Sequence, residues 1–227
     1  MIHRIHSQFI SVKTSFFGFK NYSYILYSND GESVAIVDPA WDMNTFTSIL
    51  EERPVSRVMV LLTHSHIDHV NLVDMFIARY QAEIYISKEE SEYYVYRKKN
   101  LHLISDGSRI PFGTEEIQCI LTPGHTVGSV CYLKDGALFT GDTLFIEGCG
   151  VCLGPGGDAG AMYDTVQRLK CILSEEIMVY PGHCYGQEVG QTIEYLLNHN
   201  IYMQIDDKEK FVQFRNRKEQ DGIFRFL

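Results

Sequence analysis

Four residues crowded into six positions carry most of the chemistry this sequence can do: His64, His66, Asp68 and His69, within Thr63-His64-Ser65-His66-Ile67-Asp68-His69. Imidazole nitrogen and carboxylate oxygen are the donors that zinc and similar borderline cations prefer. On an extended segment, residues two apart point to the same side. His64 and His66 can therefore share one ion, leaving Asp68 and His69 for a neighbour. The cluster follows an apolar run and precedes a helical pattern, which places it at the end of a core strand, where ligand sites gather.

Three later residues sit in similar settings: His125 in Pro123-Gly124-His125-Thr126, Asp142 in Thr140-Gly141-Asp142-Thr143, and His183 in Pro181-Gly182-His183-Cys184. Each follows a strand-like run and has a glycine directly before it, which permits a tight turn into a shared pocket. Any one of them alone would read as a solvated turn residue, and the weight comes from their joint occurrence in this order. Two divalent ions about 3.5–4 Å apart lower the pKa of a shared water and polarise a bound carbonyl or phosphoryl oxygen, so hydrolysis is the default outcome. Asp68 is also the candidate catalytic residue, orienting that water or taking a proton from it.

The elements that must position these side chains are legible in outline. Strand-like runs cover Ile5 to Val12, Tyr22 to Ser28, Ser33 to Asp38, Arg57 to Leu62 and Glu83 to Ser87. Val58 to Leu62 is apolar on both faces, the mark of a strand buried between layers. Helical spacing appears in Leu72, Met75, Phe76 and Tyr80, again in Met162, Val166, Leu169 and Leu173, and in Val189, Ile193 and Leu196. Between them, Ile117 to Leu121, Ser129 to Leu133 and Ala137 to Thr140 read as strands, with a hairpin turn at Asp135-Gly136. This order predicts an α/β protein built as a sandwich of two mixed β-sheets with helices outside.

The series H-x-H-x-D-H, then G-H, G-D and G-H resembles the metal signature of the metallo-β-lactamase superfamily, over Asp38 to His183. The resemblance implies a four-layer αβ/βα sandwich. It also implies one zinc on His64, His66 and His125, a second on Asp68, His69 and His183, and Asp142 bridging them. Iron or manganese would be substitutes. Asp38, at the end of its strand, is similar to an aspartate that steadies the ligand loop from behind.

Within the superfamily the chain resembles the glyoxalase-II-like branch, whose members cleave thioesters. Tyr185 matches a tyrosine lining the substrate pocket there, and Gly148-Cys149-Gly150 matches a loop of that branch. Glutathione-using members carry Arg where this chain has Val151, which departs from a glutathione handle. The stretch after His183 is also short for the helical domain of a full glyoxalase II. Tyr185 and Val151 are the expected substrate-contacting positions. In length, in Gly148-Cys149-Gly150-Val151-Cys152 and in its short charged end, the chain is similar to small zinc hydrolases encoded beside bacterial trans-acyltransferase polyketide synthases. That likeness implies hydrolysis of acyl thioesters on acyl carrier protein, which clears stalled chains. The alternatives are a compact hydroxyacylglutathione hydrolase, or an iron persulfide dioxygenase using His64, His125 and Asp142 as a 2-His-1-carboxylate set.

Composition bounds the remaining choices. The 227 residues suit one large domain, expected over residues 1–200 with a short charged tail at 201–227. A net charge of −9 repels polyanions, which argues against a nucleic-acid partner. No apolar run is long enough to span a bilayer and no signal peptide is apparent, so a cytoplasmic protein without a membrane partner is expected. In that compartment Cys149 and Cys152 are expected as reduced thiols in a tight loop. Arg97-Lys98-Lys99 and the Lys208 to Lys218 cluster are basic islands: solvated faces on the plain reading, docking points for an acidic carrier on the other. Tyr93, Tyr94 and Tyr96 are expected as a half-buried aromatic edge.

Overall fold

The computed structural model describes residues 2–6 and 9–217. Seven strands form the first sheet in sequential order: β1 (Ile2–His6), β2 (Phe9–Phe16), β3 (Phe19–Tyr27), β4 (Ser33–Val37), β5 (Arg57–Leu61), β6 (Glu83–Ser87) and β7 (Leu101–Ile104). Pairing is antiparallel from β1 to β4 and parallel from β4 to β7. The parallel pairs need crossovers, supplied by α1 (Met43–Glu52), the short α2 (Ile67–Val70), α3 (Val73–Tyr80) and α4 (Lys88–Tyr93).

The second half of the chain builds the second sheet from β8 (Arg109–Phe112), β9 (Glu115–Leu121), β10 (Val130–Lys134) and β11 (Ala137–Gly141). After a two-stranded flap of β12 (Leu144–Phe145) and β13 (Gly148–Cys149), the sheet is completed by β14 (Met178–Pro181) and β15 (Gln191–Thr192). The spatial order is β15-β14-β11-β10-β9-β8, with only β11 and β14 parallel. Its outer face carries α5 (Ala159–Ile172), α6 (Ile193–His199), α7 (Ile201–Gln204) and α8 (Lys208–Arg215).

The period of two along each central strand explains the four layers. In β5, Met59 and Leu61, with Tyr24 of β3, face the second sheet, where Phe112, Tyr132 and Phe139 meet them. Val58 and Val60 face the other way, onto Phe46 of α1 and Phe76 of α3. On the far side, Leu138 packs with Met162 and Val166 of α5 and Leu196 of α6. At the ends where the ligand loops emerge, polar contacts tie the sheets: Tyr24 Oη donates to Pro181 O at 2.6 Å, Tyr132 Oη to Leu62 O at 2.8 Å, and Val130 N to Thr63 O at 2.9 Å.

Three sequence expectations need correction. The run from Ile5 to Val12 spans parts of two antiparallel strands, with residues 7 and 8 outside the described set. Val189 is not on the third helix: it precedes β15 and packs into the inter-sheet core, and the helix starts at Ile193. Residues 201–217, expected from their charge as a tail, form α7 and α8. Phe211 is fully buried and joins Tyr163 and Tyr202 edge-on, so the aromatic residues interleaved among the charges dock this segment on α5. Lys218 lies outside the described residues.

Candidate metal centre

All seven candidate ligands lie where strands of the two sheets end. The loop after β5 carries His64 and His66, the short α2 that follows carries Asp68 and His69, the loop after β9 carries His125, Asp142 follows β11, and His183 follows β14. The structure brings them together as two triads. In the first, His66 Nδ1 lies 3.1 Å from His64 Nε2 and 3.0 Å from His125 Nε2. In the second, Asp68 Oδ2 lies 3.3 Å from His183 Nε2 and 3.6 Å from His69 Nε2. Asp142 sits between them, with Oδ1 3.5 Å from both His69 Nε2 and His183 Nε2 and Oδ2 3.6 Å from His125 Nε2. Metal–nitrogen bonds of about 2.0–2.1 Å at tetrahedral angles put neighbouring donors roughly 3.3 Å apart, so both triads have the spacing of a coordination shell.

Two details indicate that this cluster is built for ions. His69 Nε2 and Asp142 Oδ1 are buried and make no hydrogen bond, a costly arrangement unless another partner takes their lone pairs. The far ring nitrogens of four of the five histidines, in contrast, are engaged. His64 Nδ1 meets Thr63 Oγ1 at 3.0 Å, His69 Nδ1 meets Asp38 Oδ2 at 2.9 Å, His125 Nδ1 meets Val151 O at 2.6 Å and His183 Nδ1 meets Lys20 O at 2.7 Å. Each bond to a carbonyl or carboxylate holds a proton on Nδ1, so that Nε2 is the nitrogen left to bind a metal.

The electrostatics of the triads differ. Burial, reinforced by neighbouring imidazoles, pushes His64 well below its ordinary pKa and lowers His66 and His125 as well, so the three-histidine group is neutral and ready to ligate. His69 also suffers burial, but Asp68, Asp142 and Asp38 outweigh it and raise its pKa to about 10. Burial would raise the Asp68 carboxyl, yet His69, His183 and Asn21 hold it below the usual carboxylate range. The second triad therefore keeps a proton where a cation would otherwise sit, and binding an ion there must displace it.

Asp38 stands behind both triads as a support. It is buried, with Oδ1 accepting from Thr63 N at 2.8 Å and Oδ2 from Thr63 Oγ1 at 2.6 Å. Its backbone has a φ of +47°, an uncommon conformation that asparagine and aspartate adopt most readily. Gly182 serves a different need: a Cβ there would fall 2.7 Å from His69 Cε1 and 3.0 Å from Asp142 Oδ1, so only glycine lets β14 pass this close to the ligands.

Sequence reasoning missed several supports. Asn21 Nδ2 donates to Asp68 O at 2.9 Å and to Asp68 Oδ2 at 3.2 Å, and its Oδ1 accepts from Trp41 Nε1 at 2.8 Å, which fixes the amide's orientation. Trp41 also has a φ of +68° and stacks on Phe16. An asparagine inside a strand and a lone tryptophan after Asp38-Pro39-Ala40 carry no local signal of such a role. Of the expected substrate positions, Tyr185 is half-buried against Phe145 at 4.6 Å and lies 6.4 Å from the His183 ring. Val151 contributes its carbonyl to His125. Cys149 and Cys152 are buried beside this loop, and burial pushes the Cys152 thiol up to about 12, away from reactivity. In the basic island at Arg97 to Lys99, Lys98 pairs with Asp74 at 2.6 Å, and Arg97 bonds Ser91 Oγ at 2.8 Å.

This fold and donor set belong to the metallo-β-lactamase superfamily, whose sequence pattern matches residues 17–183, and the chain is a member of it. Among relatives, it is 47% identical over 215 residues to the probable polyketide biosynthesis zinc-dependent hydrolase PksB of Bacillus subtilis (strain 168), covering 95% of this chain and 96% of that protein. A hydroxyacylglutathione hydrolase of Francisella philomiragia is 32% identical over 170 residues, covering 74% of this chain and 64% of its own. Among solved structures, ETHE1 from Myxococcus xanthus superposes with a TM-score of 0.80 at 24% identity, over 91% of this chain and 90% of that one, a likeness of fold. The donor clusters and the zinc-dependent relative together support a metal cofactor. Among the described residues, no helix is long and apolar enough to cross a membrane.

Proposed function

We propose that the chain is a binuclear zinc-dependent hydrolase of acyl thioesters that releases acyl groups from acyl carrier protein in polyketide assembly. The observation that carries this reading is the pair of donor triads bridged by Asp142, in a chain whose near-full-length relative is named a polyketide biosynthesis zinc-dependent hydrolase. His64, His66 and His125 would hold one ion, Asp68, His69 and His183 the other, with Asp142 between. When bound, the ions supply an activated water and polarise the thioester carbonyl.

The chain's own residues do the rest. Asp68, whose Oδ2 accepts from Asn21, would besides holding the second ion orient the attacking water or take a proton from it. Burial and the charges of Asp142 and Asp68 raise the Tyr185 pKa, which keeps its hydroxyl protonated as a donor toward the substrate. Val151, in place of a cation, leaves this wall without a charge for a glutathione carboxylate, whereas a phosphopantetheine arm needs none there. The carrier body would meet α8, whose Lys208 lies over Gly160 at the start of α5. Asp158, which caps that helix, donates its backbone N–H to Gly124 O beside His125.

The test is a side-by-side assay of zinc-loaded protein on acyl-carrier, acyl-glutathione and N-acetylcysteamine thioesters, with elemental analysis of the same sample. The expected result is two zinc ions per chain and the highest kcat/KM on carrier-bound thioesters. Faster turnover of acyl-glutathione would replace this reading by a compact glyoxalase II, and one iron with no hydrolysis would replace it by the dioxygenase.

A further inference from the structure

One buried carboxylate is used by none of the chemistry above. Glu90, in α4, is fully buried, and all its bonds go to neutral donors. Its Oε1 accepts from Ser65 N at 2.8 Å and from Ser65 Oγ at 2.7 Å, and its Oε2 accepts from Thr126 Oγ1 at 2.7 Å and Gly128 N at 3.1 Å. Ser65 lies between His64 and His66, and Thr126 follows His125. The four bonds therefore join the two loops that carry the three-histidine triad, from behind.

Placing an anion there is expensive without a cation partner, and α4 is built to do it. Ser87 caps the helix by accepting from Glu90 N at 3.1 Å, and the same hydroxyl donates to Gly128 O at 2.5 Å. A Cβ on Gly128 would fall 2.1 Å from Glu90 N and 2.6 Å from Glu90 Cα, so the loop touches the helix backbone and leaves no slack. The triad itself contains only neutral imidazoles, with one Asp142 oxygen nearby. A buried negative charge one residue from each of these ligands offsets part of a dication's charge and fixes the loop separation.

We propose that Glu90 is a positioning residue for the three-histidine metal site, clamping the His64–His66 loop to the His125 loop and thereby setting that site's affinity. The proposal rests on the metalloenzyme reading above. Glu90→Gln is the sharp variant: whichever way the amide turns, its NH2 faces either Ser65 N–H or Gly128 N–H, so one bond and the charge are lost at nearly constant volume.

The experiment is cobalt(II) titration of full-length protein, read by visible absorption. In a His183→Ala background, which leaves the three-histidine site, Glu90→Gln should weaken cobalt binding by about 10- to 100-fold, the usual effect of losing a partner behind a ligand. In a His125→Ala background, which leaves the Asp68–His69–His183 site, the same change should have no measurable effect. Ser65→Ala and Thr126→Val, which delete single bonds, should give smaller losses confined to the same site, and they carry the test if Glu90→Gln fails to fold. Equal weakening of both sites, or lowered thermal stability with unchanged cobalt affinity, would overturn the proposal and leave the metalloenzyme reading intact. A parent chain that takes up no metal would overturn both.

Discussion

Asp38→Asn replaces one oxygen by NH2 in a chain of bonds that sets the protonation of two ligands. The carboxylate can only accept, so Thr63 Oγ1 points its proton at Asp38 and is left to accept from His64 Nδ1, while His69 Nδ1 donates to Asp38 directly. Both rings then present a bare Nε2. If the asparagine keeps its oxygen on Thr63 N–H, its NH2 faces His69 Nδ1, and that ring must carry its proton on Nε2, where the metal belongs. If the amide turns over, NH2 faces Thr63 N–H, and a buried donor loses its acceptor at about 1–3 kcal/mol. For a chain of this size that corresponds to a fall in Tm of roughly 2–12 °C. Either branch weakens metal binding by about 10- to 100-fold. Asparagine tolerates the φ of +47° as aspartate does, so backbone strain does not confound the result. The assay is competition with a chromophoric chelator, paired with thermal melts of zinc-loaded and chelated protein. Wild-type zinc affinity in the variant would refute the tautomer argument, even if its Tm fell.

Asp142→Asn should lose both metals and activity together, because its two oxygens face different triads, whereas Asp68→Asn should weaken the second ion and spare the first; zinc analysis after dialysis distinguishes the two. Gly182→Ala should cost metal occupancy and stability together, since the new methyl group meets the His69 ring and Asp142, and a variant with full zinc content would contradict that packing. In chelated protein, His69 has a folded pKa near 10 against an ordinary 6.5, so its stabilising contribution is complete below about pH 6.5 and lost as pH rises through about 10. Melts of the metal-free chain should therefore fall between pH 7 and 10 more steeply than those of the zinc-loaded chain, and parallel curves would refute it. Lys208→Ser with Lys210→Ser should slow carrier-bound thioesters in a salt-sensitive way and leave N-acetylcysteamine thioesters untouched; equal loss on both would make α8 purely structural. Arg215 is left out of this variant because its guanidinium is buried against Tyr202 Oη at 2.6 Å.

What the sequence disclosed follows from which signals are local. The candidate ligands stood out because His and Asp at fixed short spacing after an apolar strand have few other uses, and each later candidate carried its own glycine. The core strands were legible for a similar reason: Val58 to Leu62 is apolar on both faces because helices cover one side and a second sheet the other. Glu90 was not legible, since Lys88-Glu89-Glu90-Ser91-Glu92 reads as a solvated acidic turn and only the tertiary fold turns one of its carboxylates inward. Asn21 and Trp41 were hidden likewise, because their partners lie 47 and 20 residues away. The final helix gave no local signal because charge dominates its composition, while the buried Phe211 docks it.

The division of the strands has a consequence for how the molecule could be taken apart. The strands up to β7 build one sheet and those from β8 onward, apart from the β12–β13 flap, build the other, with residues 105–108 as the covalent link between them. Each triad draws two donors from the first half and one from the second, and Asp142 comes from the second as well. Two polypeptides cut within that link would each hold an incomplete ligand set, so metal uptake would report their reassociation. Ions bound as proposed would act in the intact chain as a clasp between half-molecules, with the free metal concentration setting how firmly it is shut.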